Sequence, residues 1–259
     1  MRKLLLGLIP LLISIPALAE TLVATGQVFD KEGKEQKFSY ERFQKAEGSK
    51  VFDRAVYKDM DGKELTIETM ETDGGKLIKY EIEQKQLKQK AWIEVATDKV
   101  TFNLKKYRKK NYPKTEDLPN NFIVGLQIVP TIKKNWDKLM KGDELEIKLG
   151  VWHRQEAITF DLSKEKAEGN DFVVKMNPSS MFIRAVVDPI FFTFDKNTKN
   201  LTSYKGRTTP KVKKGKSYYD FDGLTKYQTV GAGPKASPMK KAEKKKSEKK
   251  KADKKPTKK

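Results

Sequence analysis

The sequence predicts a mainly β protein whose antiparallel strands form one curved sheet, a half-barrel of roughly ten strands wrapped over a central kinked helix. Three observations predict this fold. Apolar and polar residues alternate with a period of two through much of residues 21–105 and 145–227, which is typical of strands with one buried face. Turn signals separate the alternating runs. One central segment, residues 119–141, follows a helical period instead.

Two runs in the first half show the alternation most clearly, residues 78–82 and 100–104, where large apolar residues alternate with Lys, Glu, Thr and Asn. Turn signals stand between such runs, at residues 31–33, 59–62 and 73–75. Because connections this short favour hairpins, we expect the strands to pair antiparallel with their neighbours in sequence.

The central segment carries apolar residues at steps of three and four, which places them on one face of a helix. These residues are Phe122, Leu126, Val129, Ile132, Trp136 and Leu139. Gly142 follows them as the expected C-cap. Pro130 lies inside the run. Because proline removes a helix hydrogen bond and clashes with the preceding turn, we expect a kink or two abutting helices, with Pro130 in the first turn of the second.

Strand periodicity returns after this segment. The expected strands are residues 145–149, 158–162, 172–176, 190–194, 201–205 and a last one near 218–227. Between the third and fourth of these, Ser179 or Ser180 can cap a short helix carrying Ile183, Val186 and Val187, and Asp188 and Pro189 close it.

The two ends of the chain lie outside this β domain, which we assign to residues 20–230. Arg2 and Lys3 precede an apolar run that ends at Ile15, and Ala17, Leu18 and Ala19 follow. This pattern predicts a secretory signal peptide, residues 1–19, cleaved after Ala19. At the other end, residues 231–259 are rich in lysine and have little apolar content, so we expect a disordered tail.

The amino-acid composition limits which cellular compartments and which classes of partner fit this chain. The chain has no cysteine, which excludes disulfides, thiolate metal sites and a lipidated cysteine anchor. A large exported domain without disulfides fits a bacterial periplasm. We expect no transmembrane span in the mature chain. Of the 55 basic residues only seven are arginine, and lysine is a hydrated point charge poorly suited to reading base edges.

The tail holds thirteen lysines and three acidic residues between residues 235 and 259. We interpret it as an electrostatic tether to an anionic envelope surface. The candidate contact residues are Lys244, Lys245, Lys246, Lys249, Lys250 and Lys251. Nucleic acid is disfavoured as a partner because the compartment predicted by the signal peptide is poor in it.

No motif reaches the level of a catalytic signature, so we expect neither an enzyme nor a cofactor or metal site. His153 is the one histidine, and a solitary histidine is more often structural. Residues 163–166 match Ser-x-x-Lys, but the companion motifs are absent. Residues 59–62 and 195–200 hold fragments of a calcium loop, yet both lie where hairpin turns are required.

The strand order, residues 121–139 and residues 181–195 together resemble uncharacterised periplasmic half-barrel proteins, similar in architecture to the LolA and LolB lipoprotein carriers. The resemblance implies a groove between sheet and helix that accepts an acyl chain. The apolar stripe then has two interpretations, a packed core or the lining of a lipid site. The candidate lining residues are Val124, Ile128, Ile132, Trp136, Phe182, Val186 and Phe192.

The sequence therefore leaves two main functional hypotheses open. In the first, an exported non-enzymatic protein binds a lipid or another apolar ligand in the half-barrel groove. In the second, it is a structural or interaction scaffold of the envelope with a filled core. A third, weaker hypothesis is a polyanion binder driven by lysine, whose affinity falls steeply with salt.

Overall fold

The computed structural model describes residues 20–185 and 187–230, which form seventeen strands, three short α-helices and two 3-10 helices. The first eight strands are β1 (Thr21–Phe29), β2 (Gln36–Glu47), β3 (Lys50–Lys58), β4 (Glu64–Asp73), β5 (Lys76–Gln84), β6 (Gln89–Val95), β7 (Lys99–Lys105) and β8 (Lys114–Asp117). The remaining strands are β9 (Phe122–Ile123), β10 (Leu145–Val151), β11 (Glu156–Glu168), β12 (Asp171–Pro178), β13 (Ile190–Asp195), β14 (Leu201–Arg207), β15 (Val212–Lys214), β16 (Ser217–Tyr219) and β17 (Asp222–Thr229). The helices are α1 (Ile128–Lys134), α2 (Trp136–Lys141) and α3 (Met181–Arg184), and the 3-10 helices span Lys85–Leu87 and Gly125–Gln127.

Fifteen strands form one sheet in the order β8-β7-β6-β5-β4-β3-β2-β1-β17-β14-β13-β12-β11-β10-β9, and β15 and β16 form a separate hairpin. The mainly β, curved and antiparallel architecture is as predicted, but the count of roughly ten strands is wrong. The predicted last strand near 218–227 divides into β16 and β17, and β8 and β9, of four and two residues, are too short to show a period.

Chain connectivity forces this sheet to roll. Strands β8 and β9 occupy its two opposite edges, yet only residues 118–121 connect them. A link of this length spans at most about 18 Å between the two strands. The two edges must therefore lie close together, although the strand order runs from one to the other without closing.

Side chains hold the two edge regions together where the ladder does not close. The backbone N–H of Ala157 in β11 donates to Oε1 of Glu116 in β8 at 3.0 Å. Nε2 of Gln155 donates to the carbonyl of Phe102 in β7 at 3.2 Å. The rings of Phe102 and Phe122 meet edge to face with their centroids 6.3 Å apart. We call these contacts the seam.

The helical insertion differs in detail from the predicted helix over 119–141. Phe122 belongs to β9, which pairs in parallel with β10, so the helices begin only after it. Pro130 lies in the first turn of α1, after the preceding 3-10 helix, and the break between α1 and α2 falls at Asn135. Gly142 caps α2 with φ of +99°, as predicted.

Two apolar clusters fill the inner side of the sheet. The first cluster lies mainly under β1 to β7 and includes Tyr80, Ile93 and Phe102. The second cluster lies between the α1–α2 segment and strands β10 to β13, and includes Trp136 and Phe172. The insertion therefore fills the second half of the rolled sheet, and the described helices are all too short to span a bilayer.

The two ends of the rolled sheet differ in their loops. Six turns at one end, residues 48–49, 74–75, 96–98, 118–121, 169–170 and 196–200, contain two to five residues each. Seven connections at the other end contain four to fourteen residues each. These are residues 30–35, 59–63, 85–88, 106–113, 152–155, 179–189 and 208–221, and we call them together the loop rim.

The seam gives a stability prediction at Gly150 in β10. A Cβ at this position would lie 2.8 Å from Cζ of Phe122 and 3.1 Å from Cδ1 of the fully buried Ile93. We expect Gly150→Ala to lower the free energy of unfolding by about 1–3 kcal/mol, because overpacking displaces these side chains. Urea denaturation measures the change.

The control is a double-mutant cycle with Phe122→Ala. Removing the ring relieves the clash, so the two substitutions together should destabilise less than the sum of their separate effects. Strictly additive effects would show that the glycine is not required by seam packing.

Candidate functional site

The structure places the predicted lining residues in three different environments. Val124 is buried in the first cluster. Four others are buried in the second cluster, and they are Ile128, Ile132, Trp136 and Phe192. Phe182 lies on α3 at the loop rim and is 91% exposed. Val186 lies outside the described residues. The six described side chains thus do not line one surface.

Packing around Trp136 explains why the helix stripe is buried. Its ring meets Phe172 edge to face with centroids 4.7 Å apart, and Phe194 at 5.6 Å. Ile132, one turn earlier, is fully buried. The apolar face of α1 and α2 therefore contacts β12 and β13 directly.

A buried ion pair lies inside the first half of the sheet. Arg42 in β2 donates from Nε to Oδ1 of Asp53 in β3 at 2.8 Å and from Nη2 to Oδ2 at 2.5 Å. Gln44 donates to the same carboxylate at 2.8 Å, and Arg42 also donates to the carbonyl of Leu126 at 3.2 Å. Burial alone would lower the pKa of Arg42, but its hydrogen bonds to Asp53 raise it. The pair fixes the insertion to the sheet.

A second buried carboxylate, Glu68 in β4, connects the sheet to the loop rim. It accepts hydrogen bonds from the hydroxyl groups of Tyr80, at 2.6 Å, and Thr209. Burial raises the pKa of Glu68 above its usual range, against the effect of these two hydrogen bonds. The nearby Thr66 hydroxyl in β4 is buried and has no hydrogen-bond partner within the described ranges.

The residues after β14 are held in place by hydrogen bonds from side chains of β5 and of the connection 85–88. Gln84 donates to the carbonyl of Thr209 at 2.6 Å. Gln86 both donates to the carbonyl of Lys211 at 2.8 Å and accepts from its N–H at 3.0 Å. The 208–221 connection is therefore a fixed part of the fold.

The residues considered for catalysis or calcium binding have structural surroundings. His153 lies in the turn between β10 and β11, and desolvation lowers the pKa of its ring. Lys166 pairs with Glu168 at 2.5 Å. Asp59 accepts backbone N–H bonds from Asp61 and Lys63, and is a turn residue as predicted.

Asp195 is likewise a turn residue, as predicted. Its Oδ1 accepts hydrogen bonds from the backbone N–H of Thr198 at 2.7 Å and from the hydroxyl of the same residue at 2.8 Å.

Two depressions lie on the surface of the sheet. The larger, of about 520 Å³, lies where β10 and β11 meet α3, and the smaller, of about 230 Å³, lies over β3 to β5 near Glu20. Charged side chains of both signs line the larger one. They are Glu146, Lys148, Arg154 and Glu156. Because two basic and two acidic groups cancel, this depression does not select for charge.

The loop rim concentrates the positive charge of the folded domain. Its seven connections hold fifteen basic and seven acidic residues, whereas the six short turns at the opposite end hold two and one. The connection 106–113 contains four basic residues and no acidic one, and Lys105 and Lys114 flank it. The connection 208–221 adds four lysines and a single aspartate.

Hydrogen bonds to residues of β7 and to Gln155 hold the connection 106–113 in place, and its basic side chains are exposed to solvent. Asn111 accepts from the N–H of Leu104 at 3.0 Å and donates to Asn103 at 2.8 Å. Gln155 donates to the carbonyl of Tyr112 at 2.9 Å. Arg108 takes the left-handed conformation, with φ of +56°, at the turn.

The β15–β16 hairpin presents the second basic group. Gly215 turns the chain with φ of +60°. Val212 and Phe221 pack against the first cluster and hold the hairpin base. Its exposed basic residues are Lys213, Lys214 and Lys216.

The same rim carries six large apolar or aromatic side chains that are at least half exposed. They are Met60, Tyr107, Tyr112, Met181, Phe182 and Tyr219. Tyr107 contacts two cations, with Nζ of Lys88 and Cζ of Arg108 each 5.0 Å from its ring centroid. Basic and aromatic groups are thus interleaved at one end of the molecule.

Sequence reasoning placed the basic contact surface only in the tail, at residues 244–251, which lie outside the described residues. The run of six basic residues within 105–114 was the available signal for the rim. The hairpin lysines and Phe182 could not be added to it without the strand order, because they are distant in sequence.

Comparisons with known proteins do not assign this chain to a family. No family model matches the chain, and no curated protein matches it. Among solved structures, a β-barrel-like protein of a domain of unknown function, DUF1849, from Brucella abortus is 11% identical with a TM-score of 0.40, covering 82% of this chain and all of that one. A porin-like protein from Bacteroides uniformis is 11% identical with a TM-score of 0.21, covering 81% and 97%. Similarity to LolA and LolB is not shown.

The different burial of Ile132 and Phe182 predicts a large loss of stability for one substitution and almost none for the other. We expect Ile132→Ala to lower the free energy of unfolding by about 2–5 kcal/mol, because it leaves a cavity in a packed cluster. Phe182→Ala, at an exposed position, should change it by less than about 0.5 kcal/mol. Urea denaturation followed by circular dichroism measures both, and an unchanged stability for Ile132→Ala would contradict the packed-cluster description.

Glu68 predicts a pH dependence of stability. Because its pKa is raised in the folded state, its contribution is fully present below the unfolded pKa of about 4.3 and is lost as pH rises through the folded value. We expect the melting temperature of the natural chain to fall, relative to Glu68→Gln, as the pH rises above about 4. The exposed Glu83→Gln is the control for loss of one carboxylate. Parallel curves for the natural chain and Glu68→Gln would contradict this assignment.

Proposed function

We propose that this chain is an exported, periplasmic, non-enzymatic interaction protein, in which the rolled sheet is a rigid support and the loop rim is the contact surface. Its tail, through Lys244 to Lys251, adds affinity for anionic envelope surfaces. This is the scaffold hypothesis from the sequence, extended by the location of the contact surface.

The packed interior is the observation that carries this proposal. Each of the five predicted lining residues inside the sheet is no more than 8% exposed, and each belongs to an apolar cluster. A carrier of acyl chains requires an apolar cavity that is open to its ligand. The exposed apolar groups lie instead on the rim, where they are available to a partner rather than to an enclosed ligand.

Export is supported by the sequence of residues 1–19, with its basic start, short apolar run and small residues before Glu20. Glu20 already belongs to the folded domain, because its carboxylate accepts hydrogen bonds from Arg54 at 3.1 Å and 2.5 Å. Cleavage after Ala19 therefore retains the residue that makes this contact.

The non-enzymatic part of the proposal rests on the structural roles of the groups that were considered for catalysis or calcium binding. Asp59 and Asp195 are occupied by turn hydrogen bonds, and Lys166 by an ion pair. The buried carboxylates Asp53 and Glu68 hold the insertion and the rim connection in place.

Native mass spectrometry tests the proposal. The chain is purified without detergent from the periplasm of the organism that makes it, and its intact mass is compared before and after organic extraction. We expect the mass of residues 20–259 with no adduct. A stoichiometric acyl-containing adduct would overturn the scaffold proposal and support the apolar-ligand carrier, and a mass that retains residues 1–19 would remove the export proposal.

A further inference from the structure

We propose that the loop rim docks on an anionic phospholipid bilayer, with Phe182 and Met181 entering the interface and the rim lysines contacting lipid phosphates. This inference rests on the proposed function, since it names the partner of the same contact surface.

Charge complementarity is the first argument. The rim carries a surplus of eight basic over acidic residues, and the short turns at the opposite end a surplus of one. Among the described residues, no carboxylate lies within 4.0 Å of ten exposed basic side chains on the rim, which are Lys34, Lys63, Lys88, Lys106, Arg108, Lys109, Lys110, Lys213, Lys214 and Lys216. Basic groups without acidic partners attract an anionic surface strongly, because each juxtamembrane lysine adds to the binding free energy.

The exposed apolar groups are the second argument. Met181 and Phe182 are adjacent residues of the short helix α3, and they are 80% and 91% exposed. Tyr107 and Tyr112, 51% and 72% exposed, lie on the most basic connection. Tyrosine favours the headgroup level of a bilayer, and phenylalanine and methionine favour the acyl boundary below it.

These two properties together favour a membrane over a soluble polyanion. Phosphate groups free in solution or along a nucleic acid duplex give no burial for the side chain of Phe182. The unpaired cations of the rim are nine lysines and one arginine, and lysine acts as a point charge without the forked geometry that recognises individual phosphates. A bilayer satisfies both the charge and the apolar groups at once.

The rim is also preorganised, so that docking costs little ordering. Asn111 and Gln155 hold the 106–113 connection, and Gln86 holds the start of the hairpin connection at Lys211. Contacts across the rim tie separate loops to one another, as in the ion pair between Lys31 and Asp188 at 2.9 Å. Fixed loops bind with a smaller entropic loss than mobile ones.

Because the natural chain contains no cysteine, a single introduced thiol can report insertion at one chosen position. Phe182→Cys is labelled with the environment-sensitive dye NBD in the full mature chain, and Lys76→Cys, at the opposite end of the sheet, is the matched control. Each is mixed with vesicles of phosphatidylcholine alone, or with roughly one-third phosphatidylglycerol.

We expect the dye at position 182 to shift to shorter wavelength and to brighten with the anionic vesicles, and the dye at position 76 to remain unchanged. Lys109→Glu with Lys110→Glu should raise the lipid concentration for half-maximal response by about tenfold or more. The control pair Lys76→Glu with Lys141→Glu carries the same charge change on exposed residues at the opposite end, and it should have a much smaller effect.

Three outcomes would overturn the inference. If the chain sediments with anionic vesicles but the dye at 182 does not respond, the tail alone binds. If the dye responds equally to polyphosphate or duplex DNA, the rim recognises polyanions. If the chain does not bind the vesicles at all, the rim has no lipid partner. None of these changes the native mass spectrum, so the scaffold proposal succeeds or fails separately.

Discussion

The whole structure depends on one constraint: the two edge strands of a fifteen-stranded sheet are consecutive in the chain. With four residues between β8 and β9, the sheet must roll until its edges meet, and rolling creates an interior that has to be filled. The chain fills it with the segment that directly follows this link. Val124 and Leu126 enter the first cluster, and the apolar faces of α1 and α2 complete the second.

The same insertion explains why buried charges are tolerated in this interior. The apolar face of α1 and α2 packs into the second half of the sheet. The carbonyl of Leu126 lies instead in the first half, where it accepts a hydrogen bond from Arg42, and Asp53 neutralises Arg42. A buried ion pair of this kind contributes little net stability but strongly disfavours any state in which one partner is missing. We interpret it as the contact that fixes how the insertion sits in the sheet. The hydrogen bond from Thr209 to the buried Glu68 likewise fixes the rim connection 208–221 to the sheet.

Local features of the fold were predictable from sequence, and assembled ones were not. Alternation revealed strands such as β5 and β7, Gly142 ended the helix as expected, and Pro130 fell in a first turn. The two-residue β9 has no period to detect, and two of the seam contacts join residues more than forty positions apart, as between Gln155 and Phe102. The candidate site was missed for the same reason, because its residues come from seven connections and only the strand order places them together.

The position of β17 governs how this protein can be made. The last strand lies between β14 and β1, and pairs residues as distant as Ala24 and Thr229. Until β17 has emerged, both of its neighbours keep an unpaired edge, and the two halves of the sheet have no backbone connection through their common centre. Contacts of such long sequence separation form late and slowly. The chain therefore completes its sheet only after nearly all of it has been synthesised, and a chain released early presents two open strand edges to its neighbours, which invites aggregation.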